Sequence, residues 1–465
     1  MRHGILLIIA CGLGISGELR AQESVPLPPP DPLPSGAPQP GNPPQVIIPP
    51  STTPLPNYPS SPLPGTPGTM PGQSPVGPYG PYGPPPGMYP PGMYGPPPPG
   101  MYGPPVRLYR GDPASNPNLW FGIETLIWWS KAQPLSVPLI TTGPASQGDN
   151  AGALGAPGTA SLNQPLNFSA SGGARLTFGG WLEPSHTWAA EGNFFVIGQQ
   201  NTGFGANDHS QAGSFVINEP VVGAPFVTQV SAPGVETGQV DVHATTAFWG
   251  FEVNGMYNLL RNEAWTVNLL GGIRYLQLDE HLDITANSAL FTNTVYTDNA
   301  GNTLATAPPG STVTVLDQFG TRNEFVGGQA GLRFQYMMNR WSFNGTGTLA
   351  LGNTHEVVTI NGSTTVNPVN ASSVFLQGGN FATLQTGTYS MNRFALAPAL
   401  SLNVGYQFTP FLRGTIGYNI IGLSSVVRPG NQIDNTFDGM VHPLVPFTSS
   451  SFWAQGMTLG LQFSF

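Results

Sequence analysis

Residues 119–465 repeat one pattern ten times: a stretch of strand length in which apolar side chains alternate with small or polar ones, with connections that are alternately long and short. Successive side chains on a strand point to opposite faces, so a period of two makes one face greasy and the other polar. A tilted strand of about 9–11 such residues crosses a bilayer core. Backbone groups in lipid must all find partners, so a sheet built from these strands has to close. The segments are about 119–129, 173–182, 187–197, 243–258, 264–277, 323–337, 341–351, 391–408, 411–422 and 451–465.

Four of them carry the pattern most clearly. Trp249, Phe251, Val253 and Tyr257 share one face while Gly250, Glu252 and Asn254 share the other. Trp265, Val267, Leu269, Ile273 and Tyr275 oppose Thr266, Asn268, Gly272 and Arg274. Phe394, Leu396, Leu400, Leu402, Val404, Tyr406 and Phe408 oppose Arg393, Ser401, Asn403 and Gly405. In the last segment Trp453, Met457, Leu459, Leu461, Phe463 and Phe465 oppose Gly456, Thr458, Gly460, Gln462 and Ser464. Aromatic residues gather at segment ends (Trp128, Trp129, Trp188, Trp265, Trp341 and Trp453), as girdles at the two membrane interfaces require.

Long connections cover about 130–172, 198–242, 278–322, 352–390 and 423–450; short ones cover about 183–186, 259–263, 338–340 and 409–410. Outer-membrane barrels have long external loops and short periplasmic turns, which puts both ends of a ten-stranded domain in the periplasm. The expected fold is all-β: a transmembrane antiparallel up-and-down β-barrel of about ten strands. Twelve strands stay open, because 278–322 has room for a further hairpin.

Composition agrees with a surface that meets lipid. Charged residues make up 8% of the chain, against roughly 25% in an average soluble domain. The net charge of −9 is diffuse and Lys131 is the only lysine, so no basic patch exists for a nucleic acid. Beyond the N-terminus no apolar run reaches the length of a membrane-spanning helix. The one cysteine, Cys11, lies in a leader spanning residues 1–21. There Arg2 supplies positive charge, Gly4 to Ile15 form the apolar core, and Leu19-Arg20-Ala21 offers a cleavage site before Gln22. A lipoprotein signal ending at Cys11 is the rival, with a much shorter apolar core.

Residues 22–118 are dominated by Pro, Gly, Ser and Tyr, with Gly-Met-Tyr repeating at 87–89, 92–94 and 100–102. Such a segment cannot bury a core, so a disordered spacer is expected. At about 3.1 Å per residue, ~80 residues reach at most ~250 Å. Its Tyr rings and proline faces also suit contact with a cell-wall or other periplasmic partner.

The stretches WFGIETLIWW at 120–129 leading to PLITTG at 138–143, GGARLTFGGWLEPSHTWAAEGNFF at 172–195, GYNIIGLSSVVRPGNQID at 417–434 and SFWAQGMTLGLQFSF at 451–465 together resemble the putative beta-barrel porin-7 family of planctomycete-type bacteria. The resemblance runs from Trp120 to Phe465 and implies an outer-membrane barrel, without adding an activity. The final strand, with Leu459, Leu461, Phe463 and Phe465 on one face, resembles the terminal signal read by the barrel-assembly machinery.

The period assigns Glu124, Arg175, Glu191, Glu252, Arg274, Arg333, Arg393 and Arg413 to the lumen. Counted from the short turns, all but Arg274 and Arg393 fall in the lower half. An unpaired charge in a low-dielectric wall is costly, so these residues pair or meet water. One reading is an ion-pair network that fills a narrow barrel. The other is a charged constriction that selects small solutes, weakly favouring anions with five arginines against three glutamates. Inward glycines (Gly122, Gly179, Gly250, Gly272, Gly327, Gly331) leave room, although about ten strands is near the filled end of the range.

No enzyme is expected. Ten-stranded barrels include the omptin proteases, and Asp241-Val-His243 offers an acid–imidazole pair, but its parity matches lipid-facing Trp249 and Phe251. Asp279-Glu280-His281 is expected at a loop top. His186, His209, His243, His281, His355 and His442 are scattered over turns and loops, so no metal cluster is expected. No cofactor is implied. In the last long connection Pro429-Gly430 demands a tight turn, with Arg428 and Asp434 able to pair across it. It is either a plain turn or a loop folded inward over the lumen. Two functions follow: passive permeation of small solutes, or a non-conducting surface barrel acting through its long loops and Pro-rich arm.

Overall fold

The computed structural model describes residues 118–465, apart from 209–214, 223–228, 298–302, 384 and 437–443. The leader and nearly all of the spacer lie outside the described residues. Ten long strands make one antiparallel ring: β1 (Leu119–Ser130), β2 (Ser171–Trp181), β3 (Trp188–Asn207), β4 (Glu236–Arg261), β5 (Trp265–Leu290), β6 (Thr312–Met338), β7 (Trp341–Asn367), β8 (Gly387–Thr409), β9 (Leu412–Val427) and β10 (Ser449–Ser464). Each pairs with its neighbours in the chain, and β1 closes the ring against β10, from Trp120 opposite Ser464 to Ser130 opposite Ala454. The ten periodic segments are the ten strands. The room for a further hairpin in 278–322 is used by Thr294–Thr297 and Thr303–Ala307, which form their own small sheet outside the ring, so the twelve-strand option falls.

The short connections are tight. β6 and β7 are joined by two residues, Asn339 and Arg340, with Asn339 at φ 56°, the left-handed conformation such hairpins require. Around the lower half runs a belt of outward apolar side chains, including Phe121, Ile123, Phe178, Phe194, Val253, Leu269, Ile273, Leu332, Leu349, Leu402, Ile416 and Leu461. Trp188, Trp265 and Trp341 lie at its short-turn edge. Leu459 and Leu461 are exposed on the lipid side of β10, Phe465 is exposed just past its end, and Phe463 is half-buried.

The strands are much longer than a bilayer needs. β4 to β7 run 26 or 27 residues, roughly 85 Å along the strand at ~3.3 Å per residue, against an apolar band about 25 Å tall. Much of what the sequence assigns to long loops is therefore barrel. Beyond the belt the two faces exchange character while the parity of the backbone is unchanged. On β5 the outward residues after Tyr275 are Gln277, Asp279, His281 and Asp283, and the inward ones, Glu280 apart, are Leu276, Leu278, Leu282, Ile284 and Ala286. A membrane-strand template expects grease outside and misses this continuation.

Inside the protruding part, a buried core of inward strand residues meets the connections themselves. Val240, Val242, Leu282, Ile284, Phe319, Val358 and Ile360 from the strands pack with Leu139, Ile140, Leu166, Ile217, Phe381 and Ile433 from the connections. A small four-stranded sheet ties two connections together, in the order Ala160–Ser161, Thr141–Thr142, Ile217–Asn218, Gln229–Ser231. This part is a folded head standing on the membrane-spanning ring.

Candidate functional site

The lower half of the lumen is a cavity of about 410 Å³. Residues at the short-turn end, among them Trp120, Trp181, Gln335, Gln462 and Ser464, line it, so it reaches that end of the barrel. Glu124, Arg175, Glu191, Glu252, Arg274, Arg333 and Arg413 all line this cavity. Arg393 does not: it sits further up, with Nε 3.2 Å from Glu356 and Nη2 donating to the Phe447 carbonyl at 2.9 Å.

Three ion pairs organise the cavity. Arg175 donates from Nη1 to Glu124 Oε2 and to Asn419 Oδ1, both at 3.1 Å. Arg274 holds Glu252 Oε2 at 2.6 Å and reaches Thr348 Oγ1 and the Ala397 carbonyl. Arg333 takes both oxygens of Glu191, at 2.9 and 2.7 Å. The third pair joins β6 to β3, strands that are not neighbours, across 142 residues of chain. Glu191 also accepts from Trp120 Nε1 at 2.9 Å, and Glu252 accepts from Gln329 at 3.0 Å. Parallel guanidinium–carboxylate bonds with extra donors are the geometry that compensates desolvated charge. Arg413 differs from the others. Its Nε donates to neutral Gln407 at 2.9 Å, and no carboxylate pairs with it among the described residues.

Several inward glycines are occupied space, whereas Gly122 lines the cavity with only ordinary contacts around it. The Trp120 ring lies where a Gly179 side chain would be, Leu276 and Phe195 cover Gly250, and Phe325 covers Gly327. At Gly179 and Gly250 large side chains of neighbouring strands fill the gap that glycine leaves, and at Gly327 Phe325 of the same strand does so.

Above the cavity, inward apolar side chains from nine of the ten strands meet in one buried cluster. It includes Leu126 and Trp128 on β1, Phe195 on β3, Phe248 on β4, Leu276 on β5, Phe325 on β6, Ala350 on β7, Ala397 on β8, Ile421 on β9 and Phe452 on β10. Ring contacts run from Trp128 to Phe195 at 5.8 Å, Phe195 to Phe248 at 5.3 Å and Phe248 to Phe452 at 5.1 Å. The last of these links β4 to β10, so the aromatic layer spans the lumen. Trp128 therefore belongs to this layer and is only 1% exposed, whereas the sequence places it in the interfacial girdle. Its inward parity, shared with Glu124, carries the signal.

The start of the last long connection lies over this layer, with the Arg428 guanidinium 5.6 Å from the Phe452 ring centre. Residues 429–431 form one tight helical turn, and the loop folds inward: Ser136 donates to the Gly430 carbonyl from both its N–H, at 3.2 Å, and its hydroxyl, at 2.8 Å. Arg428 does not pair with Asp434. It is fully buried and grips Glu280, Nε to Oε2 at 2.8 Å and Nη2 to Oε1 at 2.6 Å. It also donates to the Ala132 and Lys131 carbonyls. Sequence reasoning missed this pair because residues 278–322 read as loop; on a continuous β5, Glu280 has inward parity.

Asp279 and His281 are on the outer face of β5, and Asp279 pairs with Arg322 at 2.7 Å. Asp241 and His243 are exposed on the outer face of β4, where Asp241 accepts from Gln239 at 3.1 Å. No carboxylate–imidazole pair opens into the cavity among the described residues. Nor do the described residues include a group of three or more metal-ligating side chains; His209 and His442 lie outside them. In the head, burial pushes the Glu236 carboxyl up to about 7, an effect eased by a Ser288 hydrogen bond. Glu219 is raised by burial and by the nearby Asp317 charge.

A family model described as "Putative beta barrel porin-7" matches residues 120–465. No curated protein matches the sequence. Among solved structures, the outer membrane protease OmpT from Escherichia coli is similar at 12% identity and a TM-score of 0.33, over 75% of this chain and 97% of that one. The toluene transporter TodX from P. putida is similar at 10% identity and a TM-score of 0.17, over 75% of this chain and 90% of that one. Scores this low transfer neither activity nor substrate.

Proposed function

The chain belongs to the putative beta barrel porin-7 family, and from that premise we propose that it is an outer-membrane barrel whose lumen is shut, serving to hold a folded head at the cell surface. The observation that carries this reading is the aromatic layer bridged by Phe248 and Phe452. A buried apolar layer excludes water, and ions do not cross a dewetted constriction. The loop held by Arg428 and Glu280 lies on the same side and adds a second closure. In this reading the leader directs export, both barrel ends are periplasmic, and Leu459, Leu461, Phe463 and Phe465 present the strand that the assembly machinery reads. The Pro-rich segment then starts from the periplasmic mouth and is free to engage a cell-wall partner.

Planar-bilayer recording of the refolded chain tests the reading. The expected trace is flat at moderate voltage. Stable ohmic steps from the unmodified protein would overturn it and restore passive permeation of small solutes. Phe248→Ala together with Phe452→Ala should open measurable conductance if this layer is the seal.

A further inference from the structure

The cavity has a charge imbalance that its own side chains do not resolve. Four arginines line it, Arg175, Arg274, Arg333 and Arg413, and three glutamates, Glu124, Glu191 and Glu252. Each glutamate is committed to one of the first three arginines, which leaves one net positive charge on Arg413. Its neighbours in register are neutral, Gln407 on β8 and Gln462 on β10. Gly405 makes room for its stem: a side chain there would meet Arg413 Cδ at 2.9 Å. Nε is taken by Gln407, and among the described residues neither Nη1 nor Nη2 has a protein partner. Two N–H groups on the open edge of a guanidinium form a fork that matches two oxygens of one anion. Low-dielectric walls strengthen such a charge and concentrate anions beside it.

We propose that Arg413 anchors a small oxyanion, a carboxylate or a phosphate, bound in the cavity from the short-turn side of the barrel. The volume suits a small ligand, and the apolar layer above makes the cavity a pocket with one mouth. Only the direction of entry rests on the closed-lumen reading. A barrel found to conduct would change the route and leave the anchor in place.

Isothermal titration of the full refolded chain in detergent, in low-chloride buffer, tests this with sodium acetate and inorganic phosphate as separate probes. Saturable one-to-one binding of at least one probe is expected, and the probe that binds identifies the ligand chemistry. Arg413→Gln should weaken that binding tenfold or more, while Arg340→Gln, on the two-residue turn between β6 and β7 and outside the cavity lining, should leave it unchanged. Gln462→Glu keeps Arg413 and gives it a carboxylate neighbour in register, so it should also cost at least tenfold without removing the guanidinium. This second variant serves if Arg413→Gln fails to assemble. Absence of saturable binding to either probe, or wild-type binding by Arg413→Gln or Gln462→Glu, would overturn the assignment.

Discussion

The lower and upper parts of this barrel are built from the same strands with opposite chemistry. Around the membrane, β5 shows Trp265, Leu269 and Ile273 to lipid and Asn268 and Arg274 to the lumen. A few residues later the same strand shows Asp279, His281 and Asp283 to water and buries Leu278, Leu282 and Ile284. The backbone alternates identically in both; what differs is the solvent outside. Lipid rewards an apolar exterior and leaves polar groups to satisfy each other within. Water rewards a polar exterior and drives apolar groups into a core. Leu276 and Phe325 lie where the two regimes meet, in the buried apolar layer.

Removing one partner of the buried ion pair should break the contrast most severely. Glu280→Ala leaves Arg428 as an uncompensated buried charge, at a cost of about 3–5 kcal/mol. The head should lose protection in limited proteolysis while the membrane ring keeps its heat-resistant form on gels. If both parts melt together, they form one cooperative unit.

Placing the same charge on one face at two heights should sharpen the boundary. Leu269→Arg puts it into the apolar belt and should cost about 2–4 kcal/mol near mid-membrane. His281→Arg, on the same face of the same strand, should stay within about 0.5 kcal/mol. Equilibrium unfolding from lipid vesicles measures both. Equal costs would mean that the belt extends past Tyr275.

Acidity should separate the parts more gently. A carboxyl raised in the folded state holds its proton where the unfolded chain has released it, so stability falls as pH rises. For Glu236 the loss runs from pH 4.5, the ordinary glutamate value, to about 7, and is complete above that. Hydrogen exchange in the head should therefore be slowest at the acidic end, after correction for intrinsic rates, and Glu236→Gln should make the dependence shallower, with buried Glu219 and Asp317 supplying the remainder. A small effect also belongs to the exposed pair on β5 and β6. Asp279→Ala should cost less than about 1 kcal/mol, although Asp279 is the immediate neighbour of Glu280, so denaturation midpoints of the two variants compare the faces directly.

Much of the ring was legible. Alternation located all ten strands, and the short turns set their order. The inward parity of Glu124, Arg175 and Glu191 could be read without knowing the neighbours, because parity depends only on the backbone of one strand. The head was half legible: Leu276, Leu278, Leu282, Ile284 and Ala286 recur at every second position apart from Glu280, but with the faces exchanged, and they resembled a weakly patterned loop. Trp128 was misread because its place near a strand end suggested the girdle, while its parity pointed inward.

Taken alone, the sequence determined periodicity and face, both properties of short stretches of backbone, and left the strand count at ten or twelve. Only the closed ring decided which inward side chains meet. Glu191 reaches Arg333 and Phe248 reaches Phe452 because ten registers add up around the barrel and bring distant strands face to face. Among the described residues Arg413 is left without a carboxylate for the same reason. Contacts across a lumen depend on the sum of those offsets, and no single strand carries that sum.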